Sequence, residues 1–599
     1  MHITLAPFVA AIILAILDTY KSFRGDKSSF GILGYISIFI GHLLFVRSFL
    51  INDFTLKEVF LYSSKYLDLA YKFSASWAGS GGFIVWWLFI FTILTSLRRL
   101  KSPDSKMTYH NLMIIGLIVA AILNGAFERL NFSPENGLGL NPLLKTFWML
   151  FHPPACFIGY ALGFLIAIEV LLGRENRFLI GLTWIFLTLA NVLGGVWSYF
   201  TLGWGGYWAW DPVETGLLLP WLSLTACFHN PKLRRNLILL TGFSVAFAAF
   251  VTRGGISPLH GFGINTSGYA IILLGIPFLV KALKDWHFDF KVNPLNVATY
   301  SLIGSYIVCF LGLIYQFFGK VSVDYYNFAN MPFILALLSV LPICGAKDYG
   351  NYLKLLVLTY ISSIVLTALT VFGYITWCED APIYVNYAVS LILPVAFFSL
   401  LSILKLQRIE LKILHVSISL LVIAVSISWP YAYYSNYKSI YVDDSAYIDD
   451  LHIQIVSKEF KMGVEESFEI VKLRVNGKDV ECRVRLDLNW LFRSGNFIFP
   501  DPAVVNIWLD NYYIVIPRAM DLFMFTCKYL YERNETYTLM MVSHVTGLNY
   551  ETLIEEVKNW KPKEGVMLVY KKIPFINLVW IACALMIFGE IIALARWAK

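Results

Sequence analysis

The chain has 599 residues, of which 58% are apolar and only 15% charged, and its mean hydropathy is +0.65. This composition excludes a soluble assembly of several domains and indicates a polytopic membrane protein surrounded by lipid. The formal net charge of +7 is interpreted loop by loop in such a protein, so it does not indicate a nucleic-acid partner.

About fifteen apolar runs along the chain are each long enough to cross a bilayer. They lie at 4–19, 31–51, 82–99, 109–127, 153–172, 178–199, 214–230, 236–252, 268–284, 297–318, 331–346, 353–374, 382–405, 412–430 and 573–596. The predicted fold class is therefore an all-α polytopic membrane protein of about 15 transmembrane helices. The only long polar region interrupts this series before the last run.

The loops between these runs alternate in charge. One set carries dense Lys and Arg clusters, such as Lys232, Arg234 and Arg235, while the other set has only scattered cations. The positive-inside rule assigns the dense set to the cytoplasm, with the N-terminus outside and the C-terminus inside. The sequence thus predicts a multi-pass protein of the cytoplasmic membrane in which loop 200–213 and region 431–572 face outward.

Three parts follow from this pattern: a transmembrane core at 1–430, an extracytoplasmic domain at 431–572 and a C-terminal span within 573–599. The alternation in 480–488, after the turn signal Asn476-Gly477, predicts a small β-rich domain, and 549–560 is predicted as a helix. None of the eight cysteines forms a C-x-x-C, which excludes a dithiol motif and a covalent haem box. Cys482 and Cys527 share the outer domain, so a disulfide between them is one alternative.

A tryptophan- and glycine-rich segment, 200–222, lies between two of the apolar runs. Trp204, Trp208 and Trp210 offer flat faces with one hydrogen-bond donor each, and Gly205 permits a close approach of the backbone. This combination suits a large planar ligand. The alternative is an interfacial tryptophan belt, which many membrane proteins have.

Two histidines are predicted on the same side as this segment. His152 opens the fifth span in Phe-His-Pro-Pro, and His260 lies in the loop after the eighth span. Taken singly, each is compatible with a surface histidine. Together with an aromatic platform, however, two imidazoles provide what a haem needs, namely axial ligands for the iron and apolar planes against the macrocycle.

Two further histidines are predicted at one depth in the membrane. His229 lies about 22 Å and His415 about 20 Å below the outer surface, at 1.5 Å per helical residue. Such a pair can hold a haem b between helices, the alternative being two interfacial histidines that snorkel to the cytoplasm. His42 is expected to be packed or hydrogen-bonded. Solvated or interfacial side chains are expected for the histidines at ends, in loops or in the outer domain, which are His2, His110, His287, His452 and His544.

The segment Trp204–Asp211 reads W-G-x-x-W-x-W-D and resembles the membrane haem-handling family defined by that motif. Within it the chain is most similar to the CcmF-type haem lyases of the cytochrome c maturation system, through stretches such as 52–54, 140–144 and 319–328. The likeness covers about residues 50–345. One departure is 78–82, which reads Ala-Gly-Ser-Gly-Gly where the family commonly has Gly-Gly-His-Glu-Gly.

The resemblance implies that His152 and His260 are axial ligands of a substrate haem on the tryptophan segment. It implies that His229 and His415 bind a second, b-type haem in the membrane. The implied activity joins haem vinyl groups to the C-x-x-C-H cysteines of apocytochrome c. The implied partners are apocytochrome c, a haem chaperone and other maturation subunits. The membrane haem would carry electrons from quinol.

Two roles remain open between alternatives. Asp211 either orients the segment by accepting hydrogen bonds from backbone N–H groups or faces a partner of a haem propionate. Arg253 is either a partner of a haem propionate or an interfacial anchor. Two other functions compete with ligation. One is a haem exporter or delivery transporter of the same family; the other is a quinol-oxidising cytochrome b subunit, disfavoured because only one buried histidine pair shares a depth.

Overall fold

The structure is a computed structural model, and it describes residues 2–24, 26, 28–101, 107–254, 268–287, 291–345, 349–494, 497–517 and 519–597. The helices are α1 Ala6–Arg24, α2 Phe30–Leu50, α3 Lys57–Tyr62, α4 Leu69–Ala75, α5 Ser80–Lys101, α6 Thr108–Leu123, α7 His152–Leu171, α8 Arg177–Thr201, α9 Pro212–Cys227, α10 Arg234–Arg253, α11 Tyr269–Lys284, α12 Pro294–Tyr315, α13 Val323–Val340, α14 Tyr349–Val371, α15 Ile383–Ile403, α16 Ile409–Tyr434, α17 Leu488–Ser494, α18 Met520–Glu532, α19 Thr536–Thr546, α20 Tyr550–Asn559 and α21 Ile576–Trp597. The strands are β1 Lys438–Val442, β2 Ser445–Ile448, β3 Leu451–Met462, β4 Glu466–Val475, β5 Lys478–Asp487, β6 Ile498–Asp501, β7 Ala503–Ile507, β8 Asp510–Val515 and β9 Val566–Ile573.

Each of the predicted apolar runs overlaps a helix, and the chain is a multi-pass membrane protein. Among the described residues, 12 helices are long and apolar enough to cross a membrane. The other three predicted runs form α6, α9 and α11, which have 16 residues each. A helix of that length extends about 24 Å, less than a hydrocarbon core of about 30 Å. The number of crossings therefore stays a prediction.

Close contact through small residues holds the centre of the helix bundle together. The spans of α7 and α10 are its most enclosed, since 83% and 89% of the residues in their apolar stretches are buried. A Cβ added to Gly163 in α7 would lie 2.8 Å from Val245 of α10, and one added to Gly275 in α11 would lie 2.7 Å from Ala246. Glycine at these crossings lets the backbones approach closely, as is common where helices pack within lipid.

The predicted β-rich domain is present between α16 and α21. It contains two antiparallel sheets, one with strand order β1-β9-β8-β7 and one with β2-β3-β4-β5-β6. The predicted helix of this region is α20, which Asn549 caps by accepting from the backbone N–H of Thr552. Cys482 and Cys527 are both free and buried, so the disulfide considered above is absent.

The domain packs on one end of the helix bundle, which we call the domain end. β9 runs into α21 with two residues between them, so this end contains the start of α21. α8, α10 and α16 run toward the domain end and α21 runs away from it, so the first residues of α8, α10 and α16 and the last residues of α21 lie together at the opposite end. Arginines of those four helix ends face that side, and we call it the arginine end.

Candidate functional site

The tryptophan segment is anchored at its end by the start of α9. Asp211 is the N-cap and accepts from the Val213 backbone N–H at 2.9 Å. Glu214 reaches back to the backbone N–H groups of Ala209 and Asp211, at 2.9 and 3.2 Å, which completes a capping box. Asp211 therefore has the orienting role that was the first of its two predicted alternatives.

Trp210 is held in an unusual backbone conformation. Its φ is +56°, a region uncommon for a bulky residue. Its side chain is fixed by a hydrogen bond from Nε1 to Oδ1 of Asn327, at 2.8 Å, and by stacking on Tyr326 with ring centroids 5.0 Å apart. A strained residue that the surroundings hold in place is a frequent feature of functional sites.

His152, Trp204 and Trp208 line one small pocket at the domain end. His152 lies at the first residue of α7, and its Nδ1 is 3.1 Å from the carbonyl oxygen of Ala190. The absence of a side chain at Gly194 leaves room for this ring, since a Cβ there would lie 3.1 Å from its Cε1. Three predicted site residues are thus brought together.

This pocket has a volume of only about 40 Å³, enough for a few waters. A macrocycle can occupy it only if the surrounding side chains separate. The second predicted outer ligand, His260, lies outside the described residues, so its assignment stays a prediction.

Trp208 and Trp210 also line a larger apolar cavity of about 420 Å³. The two indoles pack edge to face with ring centroids 5.6 Å apart. The remaining walls come from α8, α9, α13, α15, α16 and α21, and include Trp429 and Trp580. The segment therefore forms a boundary between the small pocket at the domain end and an apolar space among the helices.

His229 and His415 line one deep cavity of about 1030 Å³. Nδ1 of His229 donates to the Thr225 carbonyl at 3.0 Å, and Nδ1 of His415 donates to the Leu411 carbonyl at 2.7 Å. Each ring therefore keeps Nε2 for another partner, which is the arrangement of an imidazole that ligates a metal. The paired rings and the size of the cavity fit a haem. Trp210 and Trp221 line both this cavity and the apolar one.

Arg253 points toward the start of α5. Its Nη1 donates to the Ala78 carbonyl at 3.1 Å, and its guanidinium lies 4.4 Å from the Phe83 ring centre. It is not among the described residues that line the small pocket at the domain end. A role as a propionate partner is therefore still a prediction.

The departure at 78–82 encloses a buried carboxyl group that the sequence did not single out. Glu58 of α3 accepts from the Gly81 backbone N–H at 3.0 Å. A Cβ on Gly81 would lie 2.5 Å from that carboxyl oxygen, so glycine provides the space for it. Burial raises the pKa of Glu58 to about 7, an effect that the Gly81 hydrogen bond and the charge of Arg253 oppose.

Two histidines expected to be solvated or interfacial are instead buried, and that expectation was wrong. His2 contacts Asp53, with Nε2 3.0 Å from Oδ2, and His110 in α6 lies 3.4 Å from Glu169. Neither acid is near its histidine in sequence, so helix position alone gave no signal. His42 is packed as predicted, stacked on Phe89 with ring centroids 3.8 Å apart.

The tryptophan segment is held from the side of the β-rich domain. The hydroxyl of Tyr437, just before β1, donates to the Gly203 carbonyl at 3.0 Å. Nε1 of Trp429 near the end of α16 donates to the Trp208 carbonyl at 2.9 Å. Because both contacts reach the backbone, they fix the path of the segment irrespective of its side chains.

The loop that leads to His152 is held by the same domain. Lys145 pairs with Glu466 of β4 and with Asp487 of β5, the latter at 3.1 Å. Nη1 of Arg485 donates to the Pro142 carbonyl at 3.3 Å. The domain thus contacts both the tryptophan segment and the loop that ends at His152. These contacts fix the position of one relative to the other.

Replacing Lys145 with methionine is expected to loosen this attachment. The lysine side chain is 8% exposed and its two acids 15% and 2%, so the change would leave buried carboxylates unpaired. Breaking such a pair costs about 3 kcal/mol. Limited proteolysis should then cleave 128–151 faster. The control is Lys57→Met, which removes an exposed pair with Glu128. Equal protection of the two variants would contradict the assignment.

Comparison with known proteins agrees with this arrangement. Residues 75–271 match the family described as Cytochrome C assembly protein. The chain is 28% identical to the cytochrome c-type biogenesis protein NrfE of Haemophilus influenzae over 387 residues, 55% of this chain and 61% of that protein. It is 28% identical to CcmF of Escherichia coli over 425 residues, 60% of this chain and 65% of that protein. The chain thus spans less than two thirds of either relative.

One solved structure shares the fold. It is named Cytochrome c Heme Lyase CcmF, and it superposes with a TM-score of 0.66 at 16% identity. The match covers 98% of this chain and 95% of that chain. Helices, β-rich domain and final span therefore follow one common architecture.

Proposed function

Because this chain is a CcmF-type protein of the cytochrome c assembly family, we propose that it acts in cytochrome c biogenesis as a haem lyase. The observation that carries the proposal is the meeting of His152, Trp204 and Trp208 in one pocket beside the β-rich domain. This site offers an imidazole for iron and indole faces for a macrocycle. The domain adds a large surface on which an apocytochrome can dock.

The proposed reaction joins haem, as substrate, to the two cysteines of a C-x-x-C-H segment. Each cysteine S–H adds across one vinyl C=C bond, so that sulfur bonds to one carbon, the proton goes to the other and no electrons are gained or lost. His152 would hold the iron, and Trp204 and Trp208 would fix the plane of the ring. Such positioning of two reactants accounts for much of the acceleration of a reaction of this kind.

The second proposed group is a b-type haem held by Nε2 of His229 and of His415. When bound, it would supply one-electron transfer, with membrane quinol as the source of electrons. The protein's own contribution is to hold both imidazoles in one tautomer through their Nδ1 hydrogen bonds. Trp210 and Trp221 line this cavity and the one below the outer pocket. The deep cavity and the apolar cavity thus share walls, and Trp208 lines both the apolar cavity and the small pocket.

In this proposal the domain end faces outward and the arginine end faces the cytoplasm, in line with the positive-inside rule. The site would then meet apocytochrome c outside the membrane, together with a haem chaperone and other maturation subunits.

A haem exporter or delivery transporter is the second candidate function. It is favoured by one specific observation: the deep and the apolar cavities share Trp210, Trp221 and several other wall residues. The two cavities adjoin one another between the two ends of the bundle, an arrangement that would suit the passage of haem, which is planar and largely apolar. Transport and ligation use the same residues, so only the product distinguishes them.

The deciding experiment is co-expression with an apocytochrome that contains one C-x-x-C-H segment. Ligation predicts haem that stays with the apocytochrome after acid extraction, in a yield that depends on this chain. An apocytochrome with A-x-x-A-H provides the control, because it can receive haem but form no thioether. Extractable haem on both forms alike would favour delivery. Haem stoichiometry of the purified chain then tests whether it holds two, one or none.

Replacing Trp208 with alanine is expected to lower haem occupancy at the outer site several-fold, because Trp208 lines both the small pocket and the apolar cavity. The matched control is Trp508→Ala, since that indole is 95% exposed on a hairpin of the β-rich domain. Both variants are assayed for haem per chain and for membrane insertion. Lowered insertion of the Trp208 variant with unchanged occupancy would support the interfacial-belt interpretation instead.

A further inference from the structure

The arginine end of the deep cavity carries an excess of positive charge. Among the charged residues that line the cavity, four are arginines and only Glu410 is an acid: Arg177, Arg234, Arg408 and Arg596. The rest of the lining is mostly apolar. With neutral histidines, the described lining therefore bears a formal charge of +3, that is, four positive charges less one negative. An apolar cavity with this charge favours an anionic ligand.

Only part of this charge is neutralised by the protein. Arg596 pairs with Glu410, and Nη1 of Arg234 lies 3.9 Å from Glu175. Arg177 and Arg408 form no ion pair within the part of the chain that the structure describes. These two arginines lie at the arginine end of the cavity, which we call its mouth, and they are thus available to an external anion. Arg234 lies at the limit of ion-pair distance from Glu175.

The arginines lie on one side of the two histidines. Arg234 starts α10, and its Nε donates at 3.4 Å to the carbonyl of Cys227, the last residue of α9 and two residues before His229. Arg408 caps α16, seven residues before His415, which is about 10 Å along the helix axis. A planar ligand held by both imidazoles would therefore have one edge toward this mouth.

We propose that the mouth of the deep cavity is a binding site for two carboxylates, the propionates of the haem held by His229 and His415. Arg234 and Arg408 are its principal donors, and Arg177 adds to its positive field. This inference rests on the membrane haem of the proposed function and adds its orientation, with the propionates at the arginine end. The planar guanidinium suits carboxylate, which it can bind through two parallel hydrogen bonds.

Other anions share this chemistry, and arginines at a membrane surface also meet lipid phosphates. The proposal commits to the haem carboxylates because Arg234 bonds to the carbonyl two residues before His229, because Arg408 caps the helix that contains His415, and because all four arginines line the same cavity. Interfacial anchoring alone would not require them to face a cavity.

The test compares haem with its dimethyl ester, in which both carboxylates are neutral. The purified chain, stripped of haem, is titrated with each compound, and the spectrum of a bis-imidazole haem and tryptophan quenching report binding. We expect haem to bind at least about tenfold more tightly than the ester, the effect of one or two charge-assisted hydrogen bonds. In the double variant Arg234→Gln and Arg408→Gln that ratio should fall to about one, with affinity for the ester unchanged.

The matched control is the double variant Arg235→Gln and Lys412→Gln, which removes two neighbouring charges that do not line the cavity. It should keep the wild-type ratio. A ratio near one in the wild-type chain, or an unchanged ratio in the arginine variant, would overturn the carboxylate site while leaving the membrane haem in place. Loss of bound lipid phosphorus, without a change in the ratio, would assign the arginines to lipid. If neither compound gives the bis-imidazole spectrum, the proposed binding of a membrane haem by His229 and His415 is refuted.

Discussion

Replacing either His229 or His415 with alanine is expected to abolish the low-spin b-type spectrum of the purified, reduced protein. Each ring contributes a free Nε2 to the same cavity, so removing one leaves a single axial ligand. Haem bound through two imidazoles is low-spin, and loss of one ligand changes the spectrum and weakens retention. We expect residual haem at this site to fall at least about tenfold, a loss equivalent to about 1.4 kcal/mol or more.

His42→Ala is the matched control for this experiment. His42 also lies within a span, but it stacks on Phe89 and does not line the deep cavity. Its loss should leave the spectrum unchanged, apart from any reduction in the amount of folded protein. Capture of haem at the outer site should persist in the His229 and His415 variants. Unchanged haem content in both would refute the two-site arrangement.

The helical part of the fold was predictable because lipid imposes a simple rule on sequence. Every backbone polar group must be satisfied inside the segment, so length and apolarity alone identify a span. The run at 153–172, for example, became α7, whose first residue is His152. The rule is weakest for short helices, and it is at α6, α9 and α11 that the number of crossings remained open.

The histidine pair in the membrane could also be predicted, because helix geometry converts residue number into depth. The same arithmetic could not place His110 or Glu58. Their partners, Glu169 and Gly81, lie on other elements, and the neighbours of a side chain across a bundle depend on the packing of helices that sequence periodicity does not encode. Long-range contacts of this kind carry most of the information that was missing.

The attachment of the β-rich domain to the site also depends on contacts between residues far apart in sequence. Tyr437 contacts the segment from the domain side, and Lys145 contacts the domain from the loop before His152. These residues are separated by 234 and 321 positions from the groups they contact. No local pattern predicts such pairs. Functionally, they link the surface on which a partner would dock to the two elements that form the pocket.

The second large effect concerns His152. Replacing it with alanine is expected to abolish covalent haem on a co-expressed apocytochrome. The ring is held at the pocket by the first turn of α7 and by the space at Gly194, and it is the one histidine among the described residues that line the pocket. Without that ligand the substrate haem loses both affinity and orientation. Misplacement of a reacting group by about 1 Å already costs about a hundredfold in rate.

The measurement is the yield of acid-resistant haem, with membrane haem recorded in the same preparation. A retained b-type spectrum would show that the variant folds, so a loss of covalent haem could be assigned to the outer site. His544→Ala serves as control, since His544 is exposed on α19 of the β-rich domain. The predicted second ligand, His260, should give the same loss when replaced. Wild-type yields from both the His152 and His260 variants would refute the ligand assignment, and loss from His152 alone would leave the second ligand to another residue.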